Sequence, residues 1–60
     1  SVATGVSMLA ETEHLYNQLI EKAVSAGDIE KAMQLATEAE RAGSKSAKNT
    51  LVHAIKRTQK

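Results

Sequence analysis

"LYNQLIEKAVSAGDIEKAMQLATEAERAG", residues 15–43, is the stretch on which the fold turns. Leu15, Leu19, Ile20, Ala23 and Val24 recur at helical spacing and mark one face of a first helix. Its start falls near Ser7 or at Thr12, both residue types that cap helix N-termini. Gly27 closes it, because glycine adopts the left-handed backbone that ends a helix without a Cβ clash. Asp28 opens a second helix, where a carboxylate accepts a backbone N–H and complements the positive end of the dipole. Ile29, Ala32, Met33, Ala36 and Ala39 form its apolar face, and Leu35, Ala39 and Ala42 a second, overlapping stripe. Gly43 ends it. So short a connection forces the two helices antiparallel, as an αα-hairpin.

Beyond Gly43, Ser46 takes the N-cap position of a third helix carrying Ala47, Leu51, Val52, Ala54 and Ile55. The chain thus divides into an irregular or helical lead-in over 1–11, a helix-turn-helix over 12–43, and a third helix with a basic tail over 44–60. There is no Pro, there are three Gly, and no alternating run of β-branched residues suggests a strand. The expected fold class is all-α: an antiparallel αα-hairpin of helical-repeat, or solenoid, type plus a third helix.

Sixty residues make one domain with a thin core. Tyr16 is the single aromatic, and the absence of Cys removes disulfides and cysteine-based zinc sites. A unit of this kind reads as part of a larger assembly or as one stabilised by a neighbour. No run is long and apolar enough for a transmembrane helix, and the opening segment lacks the positive start of a secretory signal. No membrane partner is expected.

Chemistry-bearing groups are sparse. His14 and His53 lie far apart, with no spacing that places ligands on one helix face. No nucleophile, base and orienting group occur together, and Gly5 stands alone rather than in a phosphate loop. The expectation is therefore no catalytic residue, no metal, no cofactor and no small-molecule substrate. Charge is distributed unevenly. Residues 1–30 carry five carboxylates against one lysine; residues 31–60 carry seven cations against two carboxylates, with none after Glu40. Lys45, Lys48, Lys56, Arg57 and Lys60 are thereby candidates for phosphate contacts.

Tyr16-Asn17, Leu19-Ile20, Ala26-Gly27, Ile29, Ala32, Leu35 and Gly43 together resemble the pentatricopeptide repeat. The likeness covers about half the chain. A period of about 35 residues, within the range of helical repeats, sets Leu51 against Tyr16 and Ile55 against Ile20, as in a truncated second copy. Departures are Ala36 and Ala39 in place of larger residues, Ser46-Ala47 at the closing position, and Leu51-Val52 in the second copy. The tetratricopeptide repeat is a weaker match in shape. The resemblance implies single-stranded RNA binding within a longer array. Asn17 would read a base edge jointly with Ala47, and His14 would stack on a base. It also implies a mitochondrial or chloroplast location; without it the expected location is intracellular. The alternative is a protein–protein interaction module or small structural subunit, docking Met33, Leu35, Leu51 and Ile55 on a partner protein or on neighbouring repeats.

Overall fold

The computed structural model describes residues 8–59. Three helices follow one another: α1 (Ala10–Ser25), α2 (Ile29–Arg41) and α3 (Ala47–Thr58). The fold is all-helical, with no strand among the described residues. Every pair of helices is in contact, so α3 packs across the α1–α2 hairpin and closes it into a three-helix unit.

Both hairpin breaks follow from glycine. Gly27 has φ +83° and Gly43 φ +109°, each just past a helix end. Asp28 N–H donates to the Ala23 carbonyl at 2.9 Å and Gly27 N–H to that of Val24 at 2.9 Å. The same pair recurs after α2, from Ser44 to Ala39 at 2.8 Å and from Gly43 to Glu40 at 3.1 Å. These are Schellman closures, which satisfy carbonyls the helix leaves open. A Cβ at Gly27 would meet nothing within 4 Å, so only the backbone resists substitution there. Gly27→Ala is expected to lower stability by about 1 kcal/mol, the cost of a left-handed alanine. A denaturant midpoint unchanged from the parent would refute that.

Asp28 caps α2 as expected, its Oδ1 accepting from Lys31 N–H at 3.1 Å. The start of α1 is different. The helix begins at Ala10 after Leu9, which makes no side-chain cap, so Thr12 lies inside the first turn. Ser7 lies outside the described residues, as does Lys60.

The core is built largely from alanine. Ile20, Ala23 and Val24 of α1 meet Ala32, Ala36 and Ala39 of α2 and Ala47 and Ala54 of α3. Met8, Tyr16, Leu35, Leu51 and Ile55 pack around it half-buried. The apolar faces read from the sequence need correction here. Leu15, Leu19, Ile29, Met33 and Val52 are exposed, and Leu15 and Leu19 keep 58% and 49% of their surface in solvent. The cause is geometric. Leu15 and Val24 are nine residues apart, which at about 100° per residue sets them on opposite sides of one helix. The inward positions of α2 and α3 are alanines, which meet Ile20, Ala23 and Val24 rather than the leucines of α1.

Candidate functional site

Two polar and apolar features stand out from this scaffold. The polar one is a clasp between α1 and the start of α3. Glu13 Oε2 accepts hydrogen bonds from Ser44 Oγ (3.2 Å), Lys45 N–H (3.2 Å), Ser46 N–H (3.0 Å) and the Ser46 hydroxyl. Ser44, itself buried, turns its oxygen to the N–H groups of Ser46 (3.3 Å) and Ala47 (3.1 Å). Ser44 is thus the residue whose side chain caps α3. The expectation for Ser46 is corrected: its side chain makes no cap, because its hydroxyl is donated to Glu13 and accepts from Asn17 Nδ2 at 2.9 Å.

A carboxylate at the N-terminus of a helix meets the positive end of its dipole and the N–H groups the helix leaves unpaired. The Glu13 carboxyl is accordingly held below its ordinary value of 4.5. The Ser46 hydroxyl is the main cause. Partial desolvation opposes it, and the N–H groups of Ser46 and Lys45 with the Ser44 hydroxyl add to the lowering. The clasp therefore holds an internal anion, and its donors are already used. The contacts it makes tie α1 to the start of α3.

The apolar feature is a groove of about 490 Å³ between α1 and α2. Leu19, Ala23, Ala26 and Leu35 line it, and Lys22, Asp28 and Lys31 stand at its rim. Leu15, one turn before Leu19, extends the apolar strip along α1. The groove is shallow and open, and its walls are aliphatic.

The residues expected to touch RNA do not converge. Asn17 turns into the clasp instead of presenting a reading edge, and its Oδ1 is buried without a protein partner. Ala47 is buried in the core. His14 is exposed, as are Lys45, Lys48 and Lys56, which sit at opposite ends of α3. Arg57 is engaged with Glu21 across α1 and α3 at 3.3 Å. Both side chains of that pair are about half exposed or more, so it contributes well under about 1 kcal/mol. Of the residues expected at a protein interface, only Met33 is exposed; Leu35, Leu51 and Ile55 support the core from its edge. No group of three or more His, Asp or Glu residues is placed to hold a metal among the described residues.

Sequence reasoning did not single out Glu13 or Ser44, and it set Leu15 and Leu19, which are exposed, on the apolar face of α1. Ser44 could have been found from its position directly after a closing glycine and three before Ala47, the spacing of a side-chain cap. The surface leucines could have been found from the width of the apolar arc on α1. Glu13 carries no local signal, since its partners lie 31 to 33 residues away.

Comparison with known proteins replaces the repeat resemblance. Residues 11–56 match the family model for the C-terminal domain of the maltose operon periplasmic protein MalM. The chain is 47% identical over 49 residues to the maltose operon periplasmic protein of Salmonella typhimurium (strain LT2), and equally to that of Escherichia coli (strain K12). Each alignment covers 82% of this chain but 16% of the relative, so the chain spans about one-sixth of the curated relatives it matches. No solved structure matches. The pentatricopeptide reading falls with this, and with it the RNA partner and the mitochondrial, chloroplast or intracellular location, since the relatives are periplasmic proteins of bacteria. The landmarks that suggested it are the generic needs of any tight αα-hairpin: an apolar face, a glycine break and small residues where helices cross. With 46 consecutive residues under one family model, the chain belongs to the MalM C-terminal domain family.

Proposed function

We propose that this chain is a non-catalytic periplasmic docking domain that seats its α1–α2 groove on a protein surface. The periplasmic setting comes from the names of its relatives. The docking role rests on one observation: the α1 leucines at 15 and 19 are about half exposed beside an aliphatic groove, while the core is filled with alanine. Placing large aliphatics outside and small ones inside forgoes roughly half of the about 1.5–3 kcal/mol that full burial of each side chain would give, which another surface recovers on contact. As a closed three-helix unit, the domain needs no stacked repeats on either side to cover its alanine core. The link to maltose stays with the relatives. The one aromatic ring, Tyr16, is packed at the core edge, and the groove is walled by leucine and alanine rather than by hydroxyl-matching groups.

The chain has no Cys, which makes a single thiol a clean reporter. Leu19→Cys produced in a bacterial periplasm is expected to react with a charged maleimide at least about tenfold more slowly than the dilute purified chain, as a covered site does. Equal rates would mean that nothing docks on the groove.

A further inference from the structure

The outer stripe of α1 is complementary to itself. Glu11, Leu15, Leu19, Lys22 and Ala26 all lie within an arc of about 80° at about 100° per residue. All five are exposed. Glu11 and Lys22 are eleven residues apart, about three turns, so they share one side of the helix about 16 Å apart along its axis. Neither is in an ion pair among the described residues. The stripe therefore runs from an acidic end, through two leucines, to a basic end. Lys31 reinforces the basic end at the groove rim, and Asp28 beside it is occupied in capping α2.

We infer that the partner on this surface is a second copy of the chain, docked two-fold and antiparallel through α1; this rests on the docking role proposed above. Setting Leu15 and Leu19 of one copy over Leu19 and Leu15 of the other brings Lys22 within one residue of Glu11 of the second copy. The two-fold axis makes that charge contact twice. A parallel arrangement would place Glu11 on Glu11 and Lys22 on Lys22, so the charges select the antiparallel one. The two grooves then flank the contact, each receiving the other copy's leucines beside Leu35. Helix faces with aliphatic centres and opposite charges at their edges are a recurrent mode of helix pairing.

Sedimentation equilibrium of the 60-residue chain, with helicity followed in parallel, tests this. A concentration-dependent dimer is expected. Glu11→Lys and Lys22→Glu should each weaken it about tenfold or more, and the combined exchange should restore it, because it re-forms both contacts with reversed sign. Leu19→Arg should give a helical monomer. A monomer at every concentration overturns the proposal, as does a dimer that the combined exchange fails to restore, or a species larger than two. If the chain is monomeric while the Leu19→Cys thiol is protected in the periplasm, self-association is wrong and docking on a different protein stands. If the chain is monomeric and the thiol is free, both readings fall.

Discussion

Ile20→Ala is expected to leave the chain largely unfolded at room temperature. Among the described residues Ile20 is the only large side chain that is completely buried, and it sits where all three helices bring their alanines together. Truncating a buried isoleucine costs about 2–5 kcal/mol, the transfer free energy of the lost carbons plus the cavity left behind. A single core in a domain of this size rarely supplies more than about 3–5 kcal/mol in total. The loss is therefore comparable with the whole stability. Alanine neighbours cannot collapse into the void, since they have no side-chain freedom to do so. Far-UV circular dichroism against temperature reads the result directly: the helical signal at 25 °C should fall sharply and the cooperative melt should vanish. Leu19→Ala is the matched control. It removes carbons of similar number from a side chain that is half in solvent, so its effect on the isolated fold should stay within about 0.5–1 kcal/mol. If the two variants melt alike, the alanine-centred core is wrong.

The second large effect concerns the clasp. Glu13→Ala removes the shared acceptor of two backbone N–H groups and two hydroxyls, and leaves the start of α3 without its anion. A helix of 12 residues is marginal by itself in water. The expected outcome is preferential loss of α3: its amides should exchange with solvent at least about tenfold faster than in the parent, while those of α1 and α2 change far less. Uniform acceleration across all three helices would mean that the clasp has no local role.

Acid should act on the same contact. The folded state holds the Glu13 carboxyl below its ordinary value, so the folded protein binds that proton less readily than the unfolded chain. The stability it contributes is fully present above about pH 5 and is lost as pH falls through the ordinary value of 4.5 toward the lowered one. Glu13→Gln keeps the shape and one acceptor oxygen but cannot titrate. Its stability should be lower than the parent's at neutral pH and flatter with pH on the acid side. An acid limb as steep as the parent's would assign the pH dependence to other carboxylates.

The local features were legible in the sequence for a local reason. Gly27 and Gly43 end helices, and Asp28 begins one, because each acts on backbone groups within four residues of itself. The hairpin and the all-helical class follow from those three residues and a 3.6-residue periodicity. Family membership is a different kind of knowledge. Leu, Ala and Gly at hairpin spacing are shared by many helical families, so they supported a repeat resemblance that the match over residues 11–56 overturned. The remaining features belong to the tertiary structure. Which side of α1 faced inward was decided by where α2 and α3 pack, and they meet Ile20, Ala23 and Val24 with alanines rather than meeting the leucines. Asn17 became a structural donor only because the α2–α3 connection brought Ser46 to it across 29 residues. Glu13 became the anion of a helix it does not belong to for the same reason. Periodicity lists the side chains that are able to be buried; the space between packed helices decides which of them are.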